Sequence, residues 1–417
     1  MLFYAFSQFH FIAYSGEVNP PIAKDRVVEA MDSLKYLGVF PDSLSLSAKG
    51  TDNLPDLAYE YKLAAIDAYS PIDFDYNQHV RRYISIYATE RPGQVSQMLG
   101  LSKYYFPLFD EYLDKYQLPL ELKYLSVVES ALNPLAVSTS GAVGLWQFKI
   151  NSGKMFDLEV NSYVDDRMDP DKSTEAACKY LLYLYRIFND WHLALAAYNT
   201  GPGAVRNAIQ RSGGVTNFWK LYPHLPEVAQ NYVSAFIAAA YIMNNYADHG
   251  IEPAEPIVNY METDTVAVRK PLSLRVVSQR LNIGIDLLRF LNPTFRRDYV
   301  PAGERIYYLR LPSELTKSFI GQEESLYAQP ESKKSYHDVV QNAGSTKNKV
   351  KIFHRVRSGE YLHKISMKYG CTTDDLIAWN PNSGTELSVG QILTVWVDKF
   401  TYNRLSKSME IDSIPAN

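Results

Sequence analysis

Cysteine is nearly absent from this chain of 417 residues: Cys178 and Cys371 are the whole supply, and they fall in segments that read as different domains. No disulfide framework is therefore expected to staple the fold. Both read as small packed residues, Cys178 inside an apolar helical run and Cys371 just after a predicted helix. A charge excess is also missing. With 42 Lys plus Arg against 46 Asp plus Glu, the net charge of -4 gives no strong field toward a polyanion, and no nucleic-acid partner is expected. The eight histidines are scattered, with His192 beside Trp191 reading as a packed or surface residue, so neither a metal site nor a cofactor is expected. The apolar opening, residues 2–14, is too short to span a bilayer as a helix. It fits the apolar region of a signal peptide, with Ala13 and Ser15 before Gly16 as a cleavage site, although no basic residue precedes it. Residues 1–16 are then a leader and the protein is exported; an apolar first strand or helix is the alternative. No cysteine follows the run as a lipid attachment point.

What is present is the composition of folded protein, 46% hydrophobic and 21% charged. The length exceeds what one core usually organises, so two to four domains are expected. Tyrosine, at 32 copies, gives flat faces next to hydroxyl donors, a combination suited to carbohydrate. Residues 17–89 read as an N-terminal helical region and 90–250 as an all-α domain. The pairs Glu252-Pro253 and Glu255-Pro256 interrupt the periodicity and place a boundary. Beyond it lies an internal repeat with an offset of 88 residues, carrying Leu274 to Leu362, Ser278 to Ser366, Leu288 to Leu376 and Asn292-Pro293 to Asn380-Pro381. Each copy, 263–311 and 351–398, reads as a strand, two short helices and a closing strand. Polar residues 316–350 between them read as a flexible linker, and 399–417 as a tail.

The chemistry centres on one carboxylate. Leu118, Leu122, Leu125 and Glu129 fall on one helix face, and Asn133-Pro134 ends that helix. Glu129 therefore continues a buried stripe near the negative pole of the helix, where desolvation and the dipole both favour the protonated acid. Such an acid suits proton donation to a glycosidic oxygen. Gly141 and Gly144 are expected to let the backbone approach a ligand, Trp146 and Phe148 to offer stacking rings, and Gln147 an amide for an N-acetyl group. Ala197-Tyr198-Asn199 then meets the turn Gly201-Pro202-Gly203, placing tyrosine and asparagine at a cleft.

On four ordered motifs, Glu129-Ser130, Gly141 to Phe148, Ala197 to Gly203, and Asn231-Tyr232-Val233, the sequence resembles the family 1 lytic transglycosylases, and within them the LysM-bearing D group. The resemblance spans about residues 90–245. It implies a mainly α, lysozyme-like catalytic domain followed by small α+β (βααβ) LysM modules, acting on peptidoglycan glycan strands in the periplasm or cell envelope. It makes Glu129 the catalytic acid and base. Ser130 would orient Glu129 or touch substrate, and Gln147, Tyr198, Asn199 and Tyr232 would hold the sugar. Lys149 departs from the hydrophobic residue common in relatives.

One carboxylate suffices for such a reaction. Ordinary glycosidases use two. Attack by the 6-hydroxyl of the same N-acetylmuramic acid is intramolecular, and such proximity contributes up to about 7–11 kcal/mol. Were water the nucleophile, the acids first in line to activate it are Asp157, Asp165, Asp166 and Asp169. The alternatives are thus a hydrolytic muramidase of the same fold, or a catalytically silent LysM wall-binding protein. The second repeat copy resembles a LysM domain, which implies glycan contact by Gly359, Glu360, Tyr361, Asn380 and Asn382. The first copy keeps the apolar frame but has Pro271-Leu272 at the opening turn, and reads equally as a packed spacer. Membrane association and oligomeric state are not legible in the sequence.

Overall fold

The computed structural model describes residues 26–34, 37, 39–40, 50–256, 258, 262–301 and 305–327, and part of 346–397. The proposed leader, the tail and most of the residues around the opening turn of the second repeat copy, including Gly359, Glu360, Tyr361 and Asn382, lie outside the described residues.

The first half is helical. Its elements are α1 (Arg26–Ser33), α2 (Asp56–Asp67), α3 (Gln78–Ser85), α4 (Pro92–Lys115), α5 (Tyr124–Ser130), α6 (Ile150–Lys154), α7 (Pro170–Phe188), α8 (Trp191–Thr200), α9 (Pro202–Arg211), α10 (Phe218–Leu221) and α11 (Glu227–Asn245). Helix α11 is apolar on every side from Ala235 to Ile242 and is buried accordingly, with α3, α5 and α8 packed around it. The helix ends follow local chemistry. Asn77, Asp169, Asp190 and Asn217 accept backbone N–H bonds at the starts of α3, α7, α8 and α10. Gly201, at φ 84, both ends α8 and starts α9.

The described residues of the N-terminal region share the core of the helical half. Val28, Met31, Tyr59, Leu63 and Val80 belong to the same buried cluster as Leu125, Val128 and Phe236. The boundary at Glu252-Pro253 is a change of secondary structure but not a gap. Ser96 Oγ donates to the Glu252 carbonyl at 2.6 Å, and Ala254 N–H to Ser96 O at 2.9 Å. A Cβ at Gly100 would stand 2.1 Å from the Ala254 carbonyl oxygen, so glycine is what lets this segment lie along α4.

The first repeat copy comprises β1 (Thr263–Val268), β2 (Leu272–Ser273), α12 (Leu274–Leu281), α13 (Ile285–Leu291), β3 (Tyr299–Val300) and β4 (Tyr307–Pro312). Strands β1 and β4 are antiparallel with Val266 opposite Leu309, and β2 pairs with β3. The next helix, α14 (Ser313–Tyr327), corrects the linker reading. Residues 316–327 are helical, with Phe319 and Leu326 buried in this module's core. Their stripe is narrow and the rest of the helix polar, which made it read as linker. In the second copy, β5 (Val350–Arg355) and β6 (Ile392–Val397) pair antiparallel with Ile352 opposite Val395, and α15 (Thr373–Trp379) packs on β6. One clamp recurs in both copies. The Asn292 amide donates to Leu288 O and Arg310 O and accepts from Arg310 N–H, and the Asn380 amide does the same with Leu376 O, Thr394 O and Thr394 N–H. Asn380 thus ties a helix end to the closing strand, and both amide hydrogens are committed there rather than to sugar, which corrects its assignment as a glycan contact.

The first copy is interlocked with the helical half. Phe290 is buried against Tyr104 and Tyr105 at ring separations of 5.4 and 6.0 Å, and it belongs to the helical core. Val164, from the helical half, is conversely buried in the module core and bridges to Phe295. Backbone bonds from Asp165 N–H to Thr294 O (2.9 Å) and from Arg296 N–H to Tyr163 O (2.7 Å) close the seam. The first copy is thus packed against the helical half through side chains and backbone alike. Phe290→Ala should lower the unfolding free energy by about 3–5 kcal/mol, as truncation of a buried phenylalanine does, measured by urea unfolding followed through tryptophan fluorescence.

Candidate active site

Glu129 sits where the local backbone changes course. A 3-10 turn, Leu120–Lys123, leads into α5, which ends at Ser130; Ala131 and Leu132 follow with φ of 53° and 62°. The helix therefore stops before Asn133-Pro134, and two non-glycine residues hold the left-handed conformation, a cost that buried surroundings sustain. Asn133 contributes in another way. Its side chain accepts from Leu135 N–H at 2.9 Å and donates to Ser33 Oγ at 3.0 Å, fastening α1 beneath the end of α5.

The Glu129 side chain is 3% exposed. Its Oε1 accepts from the Tyr232 hydroxyl at 2.5 Å, and its Oε2 faces Arg26 Nη2 at 3.2 Å. Burial pushes its carboxyl above the usual range, against the Arg26 guanidinium and the Tyr232 hydrogen bond, which pull it down. Burial, and next the negative charge on Glu129, push the phenols of Tyr198 and Tyr232 well up, so both remain neutral donors.

A cleft of about 240 Å³ opens at Glu129. Its wall includes Arg26, Gln147, Phe148, Lys149, Tyr180, Tyr198 and Asn199, and among the described residues lining it Glu129 is the one carboxylate. Gln147, Tyr198 and Asn199 therefore gather around Glu129, with Tyr232 behind it on α11. Gln147, at φ 51°, donates its amide hydrogens to Gly144 O (2.9 Å) and Ala136 O (3.2 Å), which leaves the amide oxygen as the end able to receive an N–H. Tyr198 donates to Trp146 O at 2.9 Å, tying α8 to the glycine-rich loop.

Three expectations change. Ser130 is fully buried, its hydroxyl directed to Ser126 O and Leu145 O, so it joins α5 to the loop and does not touch substrate. Trp146 is no stacking ring: it is enclosed in the core, with Nε1 donating to Thr174 Oγ1 at 2.9 Å and its ring 5.0 Å from that of Phe109. At Gly144 the close approach is to protein, since a Cβ would stand 2.1 Å from the Arg167 carbonyl oxygen. Arg167 itself is the loop's brace. It is gripped by Asp165 at 2.8 and 2.9 Å and donates to the Gly141 and Phe148 carbonyls.

Arg26 and Tyr180 are among the wall residues that sequence reasoning missed. Tyr180, on α7, lies 5.3 Å from the Tyr198 ring and supplies an aromatic face that Trp146 does not. Nothing local marks it among the tyrosines of its helix, and Arg26 is 103 residues from its partner.

None of the four other acids is among the described residues that line the cleft. Asp165 holds Arg167, Asp166 pairs with Lys172 at 2.8 Å and with Arg305 at 3.3 Å, Asp169 caps α7, and Asp157 is exposed in a turn at φ 62°.

Residues 107–218 match the family model described as Transglycosylase SLT domain, 262–328 that described as Lytic transglycosylase MltD, LysM-like domain, and 354–396 the LysM domain. The chain thus carries an SLT domain and two LysM-type domains in that order, and the middle match takes in α14. In particular, it is similar to membrane-bound lytic murein transglycosylase D of Escherichia coli, 30% identical over 288 residues, which are 67% of this chain and 61% of that protein. It is also similar to the soluble lytic murein transglycosylase of E. coli, 34% identical over 116 residues, 26% of this chain and 18% of that one. The crystal structure of the 70 kDa soluble lytic transglycosylase of E. coli overlaps with a TM-score of 0.32 at 25% identity, covering 45% of this chain and 30% of that one. The chain spans 61% of the length of the first curated relative, less than two thirds.

Asp169, at the start of α7, yields a pH test of stability. Burial first, and then the charges of Asp171 and Asp166, push its carboxyl from 3.8 to about 7. Because the folded value lies above the unfolded one, the folded state binds the proton more tightly, and stability falls as pH rises from about 4 to about 7. Asp169→Asn keeps a helix cap but carries no charge. It should raise the melting temperature relative to wild type at pH 8 and lose that advantage at pH 4, as thermal unfolding at the two pH values would show.

Proposed function

We propose that this protein is a lytic transglycosylase that cleaves the β-1,4 bond between N-acetylmuramic acid and N-acetylglucosamine in peptidoglycan. The observation that carries the reading is a desolvated Glu129 as the one carboxylate among the described residues of the cleft wall. Protonated Glu129 gives its proton to the glycosidic oxygen while the C1–O bond breaks and its electron pair leaves with that oxygen. The bound sugar's 6-hydroxyl then bonds to C1, and its proton passes to the Glu129 carboxylate, regenerating the acid. The atoms balance without water. Tyr232 steadies the carboxylate formed midway, Gln147 and Asn199 offer polar contacts to the sugar, and the Tyr180 and Phe148 rings flank it.

The reading also places the protein outside the cytoplasm, as an exported, periplasmic or envelope enzyme, since its polymer lies there. No helix among the described residues is long and apolar enough to cross a membrane. The second LysM domain serves as a tether to the polymer and raises its local concentration. Within that domain Gly359, Glu360, Tyr361 and Asn382 are the proposed sugar contacts.

Mass spectrometry of digested sacculi tests the reaction. Fragments should end in 1,6-anhydro-N-acetylmuramic acid, lighter by one water than hydrolytic fragments and resistant to borohydride. Glu129→Gln should lower cleavage by about 10²–10⁴-fold or more while the fold, checked by circular dichroism, is kept. Reducible muramic acid ends would transfer the assignment to a muramidase.

Truncation tests the tether, and α14 fixes where to cut. A chain ending just after Tyr327 keeps Phe319 and Leu326 in the first module's core. It should sediment less with insoluble peptidoglycan and cleave short soluble glycans at the full-length rate.

A further inference from the structure

Helix α1 lies outside the segment that matches the SLT family model, yet it reaches into the cleft. Its inner face, Val27, Val28, Ala30 and Met31, is buried in the common core. Two polar links fix its far end: Ser33 Oγ accepts from Asn133 beneath α5, and Asp32 faces Arg91 Nε at 3.4 Å. Arg26, at the opposite end, is thereby held over Glu129 with its side chain 43% exposed on the cleft side.

We propose that Arg26 is a positioning residue of the reaction, the counter-charge that stabilises the Glu129 carboxylate each time it gives up its proton. The inference rests on Glu129 being the acid and base. A carboxyl sealed in an apolar wall holds its proton strongly, which makes it a reluctant acid. Proton donation to the glycosidic oxygen leaves an anion there, and an anion in low dielectric is costly without a partner. The Tyr232 hydrogen bond supplies one partner at Oε1, and Arg26 supplies the other at Oε2. The remaining groups around this centre do not replace it. Tyr198 on α8 is a neutral phenol, Glu29 on α1 is itself an acid whose charge favours the Arg26 cation, and Lys149 lines the same cleft at the start of α6 without an ion pair to Glu129 among the described residues. With Arg26 in place the carboxyl is acidic enough to donate and basic enough, once ionised, to take the 6-hydroxyl proton.

Arg26→Met tests this, because methionine keeps an unbranched apolar stem at a partly exposed helix start and removes only the charge. Carbon-13 NMR of Glu-labelled protein without substrate, with Glu129→Gln identifying the resonance, should show Glu129 titrating at higher pH in the variant than in wild type. On sacculi the basic limb of the pH profile of kcat/KM should move to higher pH, and kcat should fall about tenfold with KM little changed. Arg26→Lys should restore most of both. A Glu129 titration identical in Arg26→Met and wild type would overturn the pairing, and a rate loss equal at every pH would reduce Arg26 to a structural role for α1. Failure of the transglycosylase reading would register separately, as absent anhydro products from the wild-type enzyme, and would leave the NMR result intact.

Discussion

Keeping one carboxylate dry governs how this half of the molecule is built. Glu129 stands at the end of a short helix whose other residues are buried, with Tyr232 of α11 against it on the core side and the cleft on the other. Desolvation alone would lock the proton in place. The Tyr232 hydroxyl and the Arg26 guanidinium work in the opposite direction, one on each oxygen, and the balance of the three sets what the group can do.

The glycine-rich turn is positioned from outside. Arg167 ties the Gly141 and Phe148 carbonyls to Asp165, and the backbone of Asp165 is in turn bonded to Thr294 in the first LysM-type module. Arg305, from the same module, reaches Glu159 and Asp166. A continuous set of contacts therefore runs from that module to Gln147 and the cleft. Its place is that of a brace for the loop, consistent with an opening turn that carries Pro271-Leu272 where the second copy has Gly359-Glu360.

Much of this was legible in the sequence because it depends on short-range pattern. The Gly201-Pro202-Gly203 turn and the helix–strand order within each repeat copy rest on residues near one another in the chain. The four positions from Leu118 to Glu129 are all buried but do not share one helix, since Leu118 precedes the 3-10 turn Leu120–Lys123 and α5 begins at Tyr124. What escaped depends on distance. Arg26 meets Glu129 only because α1 folds under α5, and sequence spacing carries no trace of that. Residue type misled where a side chain has two plausible uses. Trp146 could stack on sugar or fill the core, and Thr174 gives its N–H a partner inside. Ser130 and Asn380 had the chemistry of ligand contacts, and their hydrogen bonds go to backbone. In α14 a polar surface outweighed the two buried residues that hold it to the module.

The repeat shows how little separates two uses of one frame. Asn292 and Asn380 fasten their copies identically, so the frame is kept by residues facing inward. Two positions before each asparagine, facing out, Phe290 is sunk into the helical core whereas Ala378 is exposed. The clamp is the same in both copies although the outward residue differs, so the frame and the docking are set by separate positions. A large side chain at that position seats the first copy on the helical half, where the Asp165–Thr294 and Tyr163–Arg296 backbone bonds hold it as well.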